Sequence, residues 1–162
     1  MNLLNIYING GSYASICITI KQLLKNNYIN NRDFNIFIYC WNKNLFKKFN
    51  DFSLYKNLKI EYTSKSLYEC LNQAHLNSES DFIYVLHENE DIFIDAELLK
   101  EIICKYKGKL ISFDYILRSE SKPLREKYIY GRFNYKYYSM FSPHISTLIP
   151  NNIYKNHLYD TK

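Results

Sequence analysis

The stretch Asp81-Phe82-Ile83-Tyr84-Val85-Leu86, running into His87-Glu88-Asn89-Glu90-Asp91, decides the fold. Its apolar run is short, aromatic and β-branched, and lies between polar flanks, which is the make-up of a strand buried on both faces. Such a strand needs helices on either side of its sheet, and the upstream sequence supplies them. Leu3-Leu4-Asn5-Ile6-Tyr7-Ile8 and Phe34-Asn35-Ile36-Phe37-Ile38-Tyr39-Cys40-Trp41 read as two further buried strands. Between them Ile16, Ile20, Leu23 and Leu24 recur at helical spacing behind Ser12 and Ser15, which can cap, so an amphipathic helix is predicted over Tyr13 to Asn26. Strand, helix and strand in this span suffice for a right-handed crossover to a parallel neighbour. A polar helix around Leu45 to Phe49 and a short strand at Leu58 to Tyr62 follow. A helix over Ser66 to Leu76 then carries Leu67, Cys70, Leu71 and Ala74 on one face. The order β-α-β-α-β-α-β predicts an α/β sheet with helices on both faces. Beyond it a helix from about Asp95 to Tyr106 and a strand over Leu110 to Phe113 are expected.

Composition narrows the function classes. A chain of 162 residues, 47% hydrophobic and 23% charged, is long enough for one globular domain that buries about two-thirds of its unfolded surface. With 4 Gly and 3 Pro it is not collagen-like, a linker or a Pro-rich disordered chain. The excess of Tyr, Asn, Lys and Ile fits an AT-rich coding sequence as well as any physical demand. The balance of 21 − 16 = +5 is too mild to mark a nucleic-acid binder but favours an anionic ligand such as a phosphate ester. Cys17, Cys40, Cys70 and Cys104 stand far apart without a C-x-x-C pair, so they read as reduced, mostly buried thiols of a cytoplasmic protein. Met1 to Gly10 lacks a basic leader with a long apolar core. No run approaches the roughly 18 apolar residues of a membrane span. Secretion and membrane insertion are therefore not expected, and a membrane contact would be a peripheral association.

The acidic turn after the Asp81–Leu86 strand is where chemistry is expected. Open α/β sheets bind ligands at the carboxyl ends of their strands. Glu88, Glu90 and Asp91 gathered there repel one another unless a cation or a hydrogen-bond network compensates. Mg²⁺ takes one or two such carboxylates together with substrate phosphates. The same residues also suit a solvated loop before a helix, where acidic groups meet the positive end of the dipole. Spacing alone leaves both readings open.

Lys65-Ser66-Leu67-Tyr68-Glu69-Cys70-Leu71-Asn72-Gln73-Ala74, then Ser80 to Leu86, then Glu90-Asp91-Ile92-Phe93 with Leu98, resembles the central block of family-2 glycosyltransferases of GT-A fold. In that family a K-G-I-Y-D-A-M-N-K-G helix leads to a G-D-Y-I-x-F-L strand and an acidic D-x-D or S-D-D motif. Ser142-Pro143-His144-Ile145-Ser146-Thr147-Leu148-Ile149, with Ile153-Tyr154-Lys155 and Leu158-Tyr159-Asp160, is similar to the family's C-H-Q-A-T-F segment and its G-L-F-D end. The resemblance implies a GT-A-like, Rossmann-like mixed sheet. Residues 1–113 would form its nucleotide-sugar-binding half and residues 114–162 an incomplete acceptor half. It further implies sugar transfer from a nucleotide-diphosphate donor to a glycan or lipid-linked acceptor, in bacterial polysaccharide assembly, with Mn²⁺ or Mg²⁺ held by Glu90 and Asp91. Glu88 takes the first position of the acidic motif in one register. Asn72 matches the helix asparagine near the donor, and Lys65 is placed to meet a phosphate. His144 matches a histidine near the diphosphate, where it either donates a hydrogen bond or ligates the metal.

The departures are as informative. The first strand ends in Ile8-Asn9-Gly10-Gly11-Ser12 instead of a T-V-Y-N-like sequence, so Asn9 and Gly10 fall at the donor, although a glycine pair is also an ordinary turn. The second strand runs into Tyr39-Cys40-Trp41-Asn42-Lys43-Asn44 where the family carries D-D-G-S. No carboxylate stands there to read a base, leaving the Asn42 amide and the Trp41 face. The family's E-D or D-Y-E general base falls beyond Lys162, which makes Asp114 the in-chain alternative, although Asp114 also suits a turn cap. The basic, Tyr-rich segment Arg118 to Tyr138 suits sugars and phosphates and equally an exposed hairpin. The rival readings are a degenerate relative that binds nucleotide as a partner subunit and, more remotely, a nucleic-acid-binding module.

Overall fold

Strands that carry apolar residues toward both faces must be covered on both sides, and the computed structural model arranges them so. It describes residues 2–49, 55–87, 92, 94–112, 147–156 and 158–160. In chain order the elements are β1 (Leu4–Gly10), α1 (Tyr13–Lys25), β2 (Phe34–Cys40), α2 (Lys43–Phe46), β3 (Leu58–Tyr62) and α3 (Leu67–Asn77). They continue with β4 (Phe82–His87), α4 (Ala96–Lys105), β5 (Ile111–Ser112), β6 (Thr147–Pro150) and α5 (Asn151–Asn156). The sheet order is β3-β2-β1-β4-β6-β5. β1 runs parallel to β2, with Leu4 opposite Phe34, and parallel to β4, with Leu4 opposite Phe82. β3 extends the parallel set, whereas β6 is antiparallel to both β4 and β5. From β1 the chain steps outward to β2 and β3, and α3 then carries it back to β4 on the other side. The direction of winding therefore reverses between β1 and β4, which is where an open α/β sheet forms its ligand crevice.

Side chains alternate between the faces. Leu4, Ile6, Ile8, Phe34, Ile36, Ile38, Phe82 and Leu86 form one core with Ile16, Ile20 and Leu23 of α1 and Leu99 and Ile103 of α4. On the other face Tyr7, Tyr39, Ile83 and Val85 pack with Cys70 and Leu71 of α3. α2 places Leu45 in the first core, so the short excursion between β2 and β3 leaves the second face to α3.

The helix boundaries follow local chemistry. Ser12 caps α1, Asp95 caps α4, and Ser66 with Glu69 forms a capping box on α3. α1 ends in a Schellman motif: Tyr28 N–H donates to the Leu23 carbonyl, Asn27 N–H to that of Leu24, and Asn27 takes the left-handed φ of 61°. Several boundaries differ by a few residues from the sequence expectation, and two of them have a local reason. α2 starts at Lys43, earlier than Leu45, because the Asn42 Oδ1 accepts from the Asn44 and Leu45 amides. β1 runs on to Gly10, since its ladder to β2 holds as far as Gly10 opposite Cys40. Cys40 and Cys70 are buried, Cys17 is half-buried and Cys104 exposed, all as free thiols, and burial pushes the Cys40 thiol up to about 11. Among the described residues no helix is long and apolar enough to cross a membrane. The hairpin expected at Arg118 to Tyr138 lies outside the described residues.

Candidate functional site

The crevice at the winding reversal is bordered by the carboxyl ends of β1 and β4, where Asn9 stands opposite Tyr39 on one side and His87 on the other. Asn9 and Gly10 close β1 as its last two residues. A Cβ on Gly10 would lie 2.7 Å from Ile16 Cδ1 and 3.0 Å from the Tyr39 carbonyl oxygen. The glycine is thus demanded by the approach of α1 to the strand, a packing reason that the sequence reading did not weigh. The first turn of α1 follows closely on the end of β1. There the Ser12 hydroxyl accepts from the Ser15 amide at 3.2 Å and lies 2.6 Å from the Ser15 hydroxyl.

The other described donor candidates each have a hydrogen-bond partner within the chain. Asn42 uses its side-chain oxygen to cap α2. Trp41 donates its indole N–H to the Lys65 carbonyl, tying the end of β2 to the loop before α3. Lys65 Nζ donates to Gln73 Oε1 at 2.7 Å and stays exposed. Asn72 forms a reciprocal pair: its amide donates to the Tyr159 carbonyl at 2.9 Å, and its oxygen accepts from the Tyr159 N–H at 2.8 Å. It clamps residues 158–160 onto α3, where Tyr159 also packs against Tyr68 with ring centroids 5.1 Å apart. Glu88, Glu90, Asp91, Asp114 and His144 lie outside the described residues. Among the described residues no three His, Cys, Asp or Glu side chains gather as a metal site. Asn9 and Gly10 thus stand at the carboxyl end of β1, while Asn42 caps α2, Lys65 pairs with Gln73 and Asn72 holds Tyr159.

One concavity escaped the sequence reading. A groove of about 440 Å³ lies between α3 and the face of β1, β2 and β3, lined among others by Tyr7, Phe37, Tyr39, Lys59, Glu61 and Lys65. Tyr7 and Tyr39 are 2% and 7% exposed. Burial pushes the Tyr7 phenol up to about 12, against hydrogen bonds from Asn5 and Ser78, with the Glu61 charge adding to the rise. Burial likewise raises Tyr39, to which Tyr7 and Glu61 add. The alternation Phe37/Tyr39 on β2 and Lys59/Glu61 on β3 was the available signal, because residues two apart on a strand share a face.

No family model matches the sequence, and no curated protein matches it. Solved structures do. The chain is similar to S. aureus TarS 1-349, with a TM-score of 0.65 at 11% identity over 95% of this chain and 48% of that one. It is similar to the same fragment in complex with UDP, with a TM-score of 0.58 at 9% identity. It is also similar to S. aureus TarS over 29% of that chain, with a TM-score of 0.61. The chain thus spans about half the length of TarS 1-349. At these identities the likeness is one of fold, and it establishes a glycosyltransferase-like, GT-A-like mixed sheet with helices on both faces.

Proposed function

We propose that this chain is the nucleotide-sugar-binding part of a glycosyltransferase that moves a sugar from a nucleotide-diphosphate donor to a glycan or lipid-linked acceptor. The observation that carries the reading is the winding reversal between β1 and β4 in a sheet that matches TarS, a glycosyltransferase with a UDP complex, over 95% of this chain. In this reading the donor lies across the carboxyl ends of β1 and β4. Asn9 offers an amide, and the glycine-bearing turn from Gly10 to Ser12 lets the backbone approach a phosphate. Glu90 and Asp91, with Glu88 beside them, follow β4 directly in sequence and are the residues that would hold Mn²⁺ or Mg²⁺. The cation would neutralise charge developing on the leaving diphosphate. Asp114 as general base and His144 near the diphosphate complete the proposal for transfer in the cytoplasm.

Asn42 and Trp41 specifically favour a second reading. Both are committed to intramolecular bonds at the end of β2, and no carboxylate stands at the residues between them and Tyr39. A relative that binds nucleotide without transferring sugar would tolerate that arrangement and act as a partner subunit. Calorimetric titration of UDP with and without Mn²⁺, paired with a donor-hydrolysis assay, separates the two. Metal-dependent binding with sugar release supports the enzyme, and binding alone supports the partner. Binding of neither kind removes both. Unchanged Mn²⁺ and UDP affinity after Glu90→Ala with Asp91→Ala would count against the metal assignment.

A further inference from the structure

On one side the sheet ends at β3, whose outer edge meets no other strand among the described residues. An open edge offers backbone N–H and C=O groups to a further strand. The phase of the ladder decides which groups are offered. The Asn57 carbonyl accepts from the Ile36 N–H, and the Thr63 N–H donates to the Cys40 carbonyl. Asn57, Lys59, Glu61 and Thr63 therefore turn their backbone groups inward to β2, and the alternate residues Ile60 and Tyr62 turn theirs outward. Side chains alternate in the same way. Leu58 and Ile60 join the core that α2 covers, and Tyr62, with its ring 6.5 Å from that of Phe46, stays 44% exposed. Lys59 and Glu61 are exposed on the side of α3, and neither forms an ion pair among the described residues.

The strand Leu58-Lys59-Ile60-Glu61-Tyr62 complements itself when reversed. Antiparallel pairing with a second copy about a two-fold axis at Ile60 sets Lys59 opposite the partner's Glu61, and Glu61 opposite the partner's Lys59. Because Ile60 faces outward, the two copies exchange both of its backbone hydrogen bonds. The charge pairs then fall at the non-hydrogen-bonded sites, where opposed side chains stand closest. On the other side Tyr62 comes against the partner's Leu58, so the apolar layer continues across the junction. Moving the axis to Lys59 or to Glu61 opposes like charges instead. Charges that only guard an edge work best with one sign, since they then repel a second copy; here the signs are opposite about Ile60. We propose that β3 is a homodimer interface, at which two copies of this chain join their six-stranded sheets edge to edge. One five-residue strand from each copy makes a small contact, which places the dimer in the weak class. The proposal does not rest on the donor reading.

Sedimentation velocity of the whole chain tests it. A monomer–dimer equilibrium with a midpoint of about 10–300 μM is expected at physiological salt. As concentration rises, the Ile60 and Tyr62 amides should exchange more slowly, while the Lys59 and Glu61 amides, already bonded to β2, keep their rates. Lys59→Glu and Glu61→Lys each oppose like charges and should weaken the dimer at least about 10-fold, with the thermal midpoint of the dilute protein unchanged. An equimolar mixture of the two variants should associate again, because each meets the opposite sign in the other. The double variant should dimerise like the parent. The proposal is overturned by a monomer at every concentration up to about 1 mM, by a dimer that both single variants leave intact, or by single variants whose mixture stays monomeric. If a single variant fails to fold, the concentration dependence of the Ile60 amide in the parent decides: slower exchange supports the pairing, and a constant rate overturns it.

Discussion

The two faces of the sheet are built on different principles. Beneath α1 and α4, Ile, Leu and Phe side chains from β1, β2 and β4 interlock as a continuous apolar layer. Beneath α3 the layer is Tyr-rich and wired by polar contacts. Asn5 Nδ2 donates to Ser78 Oγ at 2.7 Å and to the Tyr7 hydroxyl at 3.1 Å, and Ser78 Oγ lies 2.7 Å from the Ser80 hydroxyl. The closed face excludes water and holds the strands in register. The open face keeps a groove and places hydroxyl, amide and charged groups around it. One set of strands thereby carries a sealed apolar layer on one side and a polar-lined groove on the other, because alternate residues serve opposite faces.

The largest expected contrast compares neighbouring positions on β2. Ile36→Ala, at a fully buried site of the closed face, should cost about 2–5 kcal/mol in urea unfolding, whereas Tyr39→Phe should stay within about 1 kcal/mol. Comparable losses would dissolve the distinction. Next, Gly10→Ala sets a Cβ against the Tyr39 carbonyl and the tip of Ile16, and about 1–3 kcal/mol of destabilisation is expected by the same measurement. A neutral Gly10→Ala would show that α1 can shift freely. On the open face, Asn72→Ala removes both bonds to the Tyr159 backbone. It should cost about 1–2 kcal/mol and speed hydrogen exchange at the Tyr159 amide while leaving that of β1 unchanged.

The smallest effect is one of pH. Lys100 donates to Asp33 and holds its carboxyl below the ordinary range, and the Ser66 backbone N–H does the same for Glu69. A depressed folded-state value favours the native protein above the unfolded pKa of about 4, and that contribution disappears as the pH falls through the lower native value. Lys100→Met should therefore make the acid limb of stability shallower below about pH 4 and leave neutral pH nearly unchanged, since the pair is exposed. An unaltered acid limb would show that the pair contributes nothing.

The sequence made local features legible. Strand β4 could be read from an unbroken apolar run, and the starts of α1, α3 and α4 from Ser12, Ser66 and Asp95, because capping acts within three residues. Features made by distant partners were not legible. Asn72 gave no local sign that it also holds Tyr159, which stands 87 residues away in the chain. Gly10 looked like part of a turn, but its reason is Ile16 folding back onto the strand. The groove depends on which face α2 chooses, a decision of packing that no periodicity in Lys43 to Phe46 can express. Of the candidate donor residues, Asn9 and Gly10 stand at the carboxyl end of β1, whereas the metal and catalytic candidates Glu90, Asp91, Asp114 and His144 rest on sequence position.

The most direct measurement is a backbone amide chemical-shift map of the labelled protein titrated with UDP and Mg²⁺. Saturable shifts are expected at Asn9, Gly10, Gly11 and Ser12, together with the residues that follow His87 in sequence. Shifts confined to the opposite ends of the strands, around Leu3, Asp33 and Phe82, or no saturable shift at all, would contradict a nucleotide-sugar crevice between β1 and β4.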